Sequence, residues 1–321
     1  MTGPIPEFKK GDTVEGYRVL GEIGRGAASV IYVVQDPKTK QIWALKHVHR
    51  GTAKDTRFLD QAEMEAKIAR ELDHPNIRKI ERCIKQTEGI FKLKDLFLVM
   101  ELVDGQSLDR QPPRTFEEAC DIFHQTAHAM HHMHERGYVH ADMKPNNIVV
   151  CTDSGKPVVK IIDLGQSCKL GTVKARIQGT PDYIAPEQVH RRPLGARTDV
   201  YNLGATMYWI FTRKHVPTAL GKGDSLVSHL DDNLIQRAQP AIELNPKIPQ
   251  RLNDLIMQCV EVKEEDRPET MKVVADRINL IHGQLLARTA LSKSGQFPAA
   301  GRSGQFPAQA AGAPDDSKAA S

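Results

Sequence analysis

The apolar pattern of this chain changes period once, near Gly105, and that change does most to limit its fold. Before it, short runs rich in β-branched and apolar residues read as strands: 17–24, 29–35, 41–49, 77–86 and 96–102, with Asp36-Pro37 as a turn. One segment breaks the series. From Asp55 to Leu72, apolar Leu59, Ala62, Ala66, Ile68, Ala69 and Leu72 recur among charges at near-helical spacing and predict a helix. After Gly105 the pattern predicts helices over 116–136, 198–211, 226–238, 249–259 and 269–286, with a hairpin at 148–162 turning at Asp153-Ser154-Gly155. A strand-rich N-lobe over 17–103 and a helical C-lobe over 104–288 make an α+β protein of two lobes.

The two ends read differently. Residues 1–16 are polar, punctuated by Pro and Gly, and read as a short leader. From 289 to 321 the chain is rich in Ala, Gly, Ser, Pro and Gln, and reads as a disordered tail. Ser294-Gly295-Gln296-Phe297-Pro298-Ala299 recurs from Ser303 to Ala308, and this repeat is a candidate docking motif for a tail-binding partner.

Composition narrows the function. Charged residues make up 26% of the chain and are interleaved in sign to a net +4, so no basic stripe points to nucleic acid. The five cysteines fall at 83, 120, 151, 168 and 259 with no C-x-x-C pair, which suits reduced thiols. Glu7, Lys9, Lys10, Asp12 and Glu15 exclude a secretory signal from the first twenty residues, and no stretch has the length and apolarity of a membrane span. The expected setting is the cytoplasm, away from any membrane.

The chemistry concentrates in a few motifs. Gly24-Arg25-Gly26-Ala27-Ala28-Ser29-Val30-Ile31 joins two predicted strands, and its glycines allow backbone amides to approach phosphates, as they allow any tight hairpin. Lys46 ends the apolar run Ala44-Leu45-Lys46, and Glu65 on the predicted helix is a carboxylate able to pair with it. In His140-Ala141-Asp142-Met143-Lys144-Pro145-Asn146-Asn147, Asp142 can accept a hydroxyl proton, Lys144 can steady a transferred phosphate and Asn147 can hold a metal ion. Asp163-Leu164-Gly165 follows an apolar run and suits Mg²⁺ held against phosphate oxygens. Gly179-Thr180-Pro181 through Ala185-Pro186-Glu187 closes the loop that begins at Asp163, and Asp199 and Arg267 follow downstream.

Together these motifs, in this order, resemble the eukaryotic-type serine/threonine protein kinases, bacterial members included, over about 17–286. The resemblance implies transfer of the ATP γ-phosphate to Ser or Thr of protein substrates with Mg²⁺. It makes Asp142 the catalytic base, Lys144 its partner, and Lys46 with Glu65 the pair that positions the α- and β-phosphates. Asn147 and Asp163 become the Mg²⁺ ligands. ATP would lie against the loop 24–29, between Ile31, Ala44 and Val149, with Met100 at the back and the Glu101–Val103 backbone bonding adenine. Glu187 with Arg267 would be a structural ion pair, and Asp199 the brace of the catalytic loop.

Three positions depart from the pattern. Ser29 stands for a glycine and Leu164 for a phenylalanine. Ala141 stands for the arginine that, in the family, holds a phosphate on the activation loop; its loss implies activity without such a phosphate, although Lys174 and Arg176 remain as basic residues there. Two other readings are a scaffold of the same fold without catalysis, and a small-molecule phosphotransferase of related fold. Intact Lys46, Asp142 and Asp163 oppose the first; Lys144, Thr180 and Ala185-Pro186-Glu187 oppose the second. Histidines 124, 128, 131, 132 and 134 crowd one predicted helix; without a completing carboxylate or thiol they read as a partly exposed face rather than a zinc site.

Overall fold

A computed structural model describes residues 5–293 apart from 27, 53–54, 89–91, 154, 219, 221–231 and 233–234. Ala27, the repeat tail from 294 and most of the expected 226–238 helix lie outside the described residues; the described residues 235–238 are not helical.

The five expected strands and a sixth, β1, inside the segment expected to be a leader, form one antiparallel sheet in the order β1-β2-β3-β4-β6-β5. These are β1 (Thr13–Val14), β2 (Tyr17–Arg25), β3 (Ser29–Gln35), β4 (Ile42–His49), β5 (Ile80–Glu88) and β6 (Lys92–Glu101). Alternation along the strands gives the sheet two apolar faces. One carries Val19, Tyr32, Val34, Leu45, Phe97 and Val99, covered by Ile5 and Phe8 from the start of the chain. The other carries Ala44, Val48, Leu96, Leu98 and Met100 and receives Leu59, Ala62 and Ala66 of α1 (Thr56–Glu71). The register Lys46↔Leu98 and Ala44↔Met100 points Lys46, Ala44 and Met100 toward the helix side, where the cleft lies.

The second lobe is built on α2 (Phe116–Glu135). Thr115 caps it, accepting from the Glu118 amide at 3.1 Å, while the Glu118 carboxylate accepts from the Arg114 amide at 2.7 Å, so the sequence T-x-x-E fixes where the helix starts. Its apolar face packs into one large core with α4 (Ala196–Thr212), α6 (Gln250–Cys259) and α7 (Met271–Lys293), the short helices α3 (Pro186–Val189) and α5 (Ala241–Leu244) lying between them in sequence. A Cβ on Gly204 of α4 would stand 2.5 Å from the Cys259 Cβ, so this crossing requires glycine. Helix α7 runs on past 286 to Lys293, and the Thr289 hydroxyl donates to Glu117 at 2.8 Å; polar anchoring carries the helix beyond its last apolar repeat.

Short strands hold the chemistry between the lobes. Strand β7 (Gln106–Ser107) pairs with β9 (Ile148–Asp153), which pairs with β10 (Lys156–Ile161). Strand β8 (Tyr138–Val139), just before the catalytic loop, pairs with β11 (Cys168–Lys169), just after Asp163. All five cysteines are free thiols. No helix among the described residues is long and apolar enough to cross a membrane.

Candidate active site

Strand β4 presents Lys46 and helix α1 presents Glu65, and the two side chains meet at 2.7 Å. Glu65 is buried and shared: Arg78 approaches its other oxygen at 3.7 Å. Burial disfavours the Lys46 cation, but Glu65 and Asp163 outweigh it and raise the pKa. Asp163 shows the converse. Burial opposes its charge, yet Lys46, the Gly165 amide and Arg78 hold its carboxyl below the usual range. Both groups are therefore charged at neutral pH. Arg78 had no signal in the motifs; it lies after the His74-Pro75-Asn76-Ile77 segment, and the turn there brings it to Glu65.

The second cluster sits on the catalytic loop. Lys144 donates to Asp142 Oδ2 at 2.9 Å and to the Thr180 hydroxyl at 2.7 Å. Thr180 closes the triangle, donating to Asp142 Oδ1 from its amide at 3.0 Å and its hydroxyl at 2.9 Å. Asn147 turns its Nδ2 to the Asp142 carbonyl at 2.8 Å, which leaves its oxygen free of that bond. Asp163 Oδ1 accepts from the Gly165 amide at 2.9 Å.

Behind the loop stands Asp199, fully buried at the start of α4. Its carboxylate accepts from the amides of His140 and Ala141 at 2.8 Å each, and bonds His134 Nε2 at 2.7 Å. His134 thus turns inward to Asp199, while His124, His131 and His132 are half-buried and His128 is exposed, as a partly exposed face would have them. Gln188 of α3 donates to the Ala141 carbonyl at 2.8 Å and is itself fixed by Asn202 at 2.9 Å. Glu187 and Arg267 form a buried two-bond pair at 2.8 and 3.1 Å. The remaining Arg267 donors bond the carbonyls of Arg197, Glu261 and Val262, so this buried charge is fully satisfied.

The expected nucleotide contacts surround the same cleft. Gly24 pairs with Ile31 across the β2–β3 hairpin, and the Gly26 amide donates to the Ser29 carbonyl at 2.8 Å. A Cβ on Gly26 would lie 3.1 Å from the Ser29 hydroxyl, so Ser29 takes the space over the turn that a third glycine would leave open. Arg25 is drawn to Glu22 and Glu7, outward from the cleft. Ala28 is buried and its carbonyl accepts from His49. Ala44, Met100 and Val149 are buried, Ile31 half-buried. The Glu101 side chain bonds Lys160 at 2.6 Å and its amide donates to the Lys79 carbonyl at 2.9 Å. Gly105 follows; a Cβ there would meet the Val150 carbonyl at 2.5 Å, so the segment turns tightly against β9.

A further cluster was not foreseen. His47 and His49 alternate on β4 and so share a face, and both bond one oxygen of Asp95 on β6, at 2.6 and 2.7 Å. The H-x-H spacing on a predicted strand was the available signal. A metal at about 2.0–2.1 Å from each nitrogen would need the ligands farther apart than this; the contacts are hydrogen bonds, and burial lowers the His47 pKa.

Comparison with known proteins bears on the family and the fold. The protein kinase domain profile matches residues 17–278. A probable serine/threonine-protein kinase of Clostridium acetobutylicum is 30% identical over 82% of this chain and 39% of its own length. The Bacillus subtilis serine/threonine-protein kinase PrkC is 28% identical over 82% and 41%, and the Mycobacterium leprae serine/threonine-protein kinase PknB 29% over 83% and 43%. The chain therefore spans about two fifths of the length of these curated relatives. The crystal structure of the Mycobacterium tuberculosis PknI kinase domain shares the fold, with a TM-score of 0.64 at 24% identity over 85% of this chain and 99% of that one.

Proposed function

The chain belongs to the protein kinase family, and from that premise we propose that it transfers the γ-phosphate of ATP to serine or threonine hydroxyls of protein substrates. The observation that carries the reading is the Asp142–Lys144–Thr180 triangle. A substrate hydroxyl brought to Asp142 meets a carboxylate already aimed by Thr180 and by the two loop amides on Asp199. Asp142 orients that hydroxyl and accepts its proton, while Lys144 lies where it can neutralise charge on the moving phosphoryl group. Lys46, fixed by Glu65, would hold the α- and β-phosphates.

The donor set fits Mg²⁺. The half-buried, ionised Asp163 carboxylate and the Asn147 amide oxygen are hard oxygen donors. When bound there, the ion supplies charge neutralisation across the phosphate oxygens. Asn147 and Asp163 would hold it, and the hinge backbone around Glu101 to Val103 would hold the adenine. The complete set distinguishes this reading from a non-catalytic scaffold. Thr180, at the head of the Thr180–Glu187 segment, bonds the base directly.

The test is phosphosite mapping after incubation with ATP, Mg²⁺ and a mixed peptide library. Phosphate on Ser and Thr is expected. Asp163→Ala should lower turnover by several orders of magnitude while its thermal transition stays cooperative. Transfer at the wild-type rate by Asp163→Ala would refute the assignment.

A further inference from the structure

The loop between Asp163 and Glu187 is ordered, although Ala141 removes the arginine that the family uses to bind a loop phosphate. Ala141 is buried with Val139, Leu194 and Cys168 in a small apolar cluster, so no cation occupies that position. The loop's three Ser and Thr hydroxyls are also engaged. Ser167 is buried and donates to the His140 carbonyl at 3.4 Å. Thr172 donates to the Lys169 carbonyl at 2.7 Å, and Thr180 to Asp142. A phosphate on any of them would break the bond now made.

A different cation reaches into the loop. Between Gly171 and Ile177 only Thr172 and Lys174 are not exposed. Val173 and Ile177, on either side of Lys174, point to solvent. Lys174 folds back eight residues and donates to the Gln166 carbonyl at 2.6 Å, in the turn that follows Asp163-Leu164-Gly165. An ammonium leaving water for one carbonyl carries a desolvation cost, and burial does lower its pKa; the fields of Cys168 and Asp142 act the other way. Backbone ties flank this bond. The Gly171 amide donates to the Leu194 carbonyl at 2.8 Å and the Leu194 amide to that of Thr172 at 3.0 Å, while the Arg191 guanidinium donates to the Ala175 carbonyl at 3.4 Å.

We propose that Lys174 is a built-in positioning residue that holds the loop in its working shape without a phosphate, by tying its middle to the turn after the metal-binding Asp163. The bond makes one unit of the segment bearing Asp163 and the segment leading to Thr180. The charge that the family draws from a phosphate and an arginine is supplied by one lysine of the loop itself, donating to main chain. For its activity arm this inference rests on the kinase reading; its exchange arm does not.

The experiment compares phosphatase-treated wild type with Lys174→Met, which keeps the stem and removes the donor, and Lys174→Arg, which restores one. Hydrogen exchange of amides 166–178 should quicken about tenfold in Lys174→Met, with the rest of the domain unchanged, and return toward wild type in Lys174→Arg. On a peptide substrate, Lys174→Met should lose about tenfold in kcat/KM with the KM for ATP nearly unaltered. Unchanged exchange in the loop overturns the proposal, and so does exchange that rises throughout the domain. Wild type that loses activity on dephosphorylation and regains it on rephosphorylation also overturns it. If wild type phosphorylates nothing, the exchange comparison still decides whether the tie exists, so the two readings fail separately.

Discussion

Thr180 holds Asp142 through two bonds to one oxygen, its amide at 3.0 Å and its hydroxyl at 2.9 Å. The carboxylate's other oxygen is held by Lys144. A side chain of the Thr180–Glu187 segment thus sets the direction of the Asp142 carboxylate.

Replacing Thr180 by valine keeps the shape and removes the hydroxyl. Lys144 then loses an acceptor and Asp142 a donor, so kcat should fall by about 10- to 100-fold, with a smaller change in the KM for peptide. Thr180→Ser should recover most of the rate. Steady-state kinetics on one peptide checks both; equal rates for valine and wild type would remove Thr180 from the positioning role.

Lys46 and Glu65 should respond unequally to loss of their partner. Lys46→Met leaves Glu65 facing Arg78 at 3.7 Å, so a counter-charge remains and stability should fall by about 1–2 kcal/mol. Glu65→Leu leaves Lys46 and Arg78 as two poorly solvated cations at one site, and should cost about 3–5 kcal/mol. Urea midpoints measure the contrast, with the slope held constant as the check on two-state behaviour. Both variants should be nearly inactive. Equal destabilisation would show that Arg78 does not share Glu65.

Acid should loosen the contact between the His74 segment and α2. His74 bonds His128 at 3.1 Å, and its ring lies 5.0 Å from that of His132. Burial first, then the fields of His132 and His128, push its pKa down to about 4. An unfolded histidine takes its proton near 6.5. Between these values the unfolded chain binds a proton that the folded chain refuses. The stability contribution is therefore complete above about pH 6.5 and is lost as pH falls toward about 4. His124 and His132, also lowered by burial, act in the same direction. Urea unfolding near pH 7.5 and near pH 5 should show a steeper loss for wild type than for His74→Gln; parallel losses would place the effect elsewhere.

The catalytic motifs were legible because their residue types are rare at such spacings and each needs its exact chemistry. The strands on either side of Lys46 were legible because period 2 survives wherever one sheet face is buried. What escaped was cooperation between segments far apart in sequence. Arg78 carries no motif, yet a turn sets it on Glu65. His134 looked like one of five helix histidines, and only packing against α4 shows that it serves Asp199. The extension of α7 past 286 also escaped; there Thr289 bonds Glu117 where apolar periodicity has ended. Lys174 was visible only as a basic residue; its inward turn depends on which of its neighbours find solvent.

Ala141 occupies a left-handed backbone conformation, φ 61°, immediately before the base. A residue with a Cβ enters that region at a cost of about 1–2 kcal/mol. Here the turn is kept by Asp199 on its amide and Gln188 on its carbonyl. The freedom that Asp142 would otherwise lose on meeting a substrate is already gone when the chain has folded. On the proposed reading, a substrate hydroxyl would meet Asp142 already oriented, and less of its binding energy would go into ordering the site.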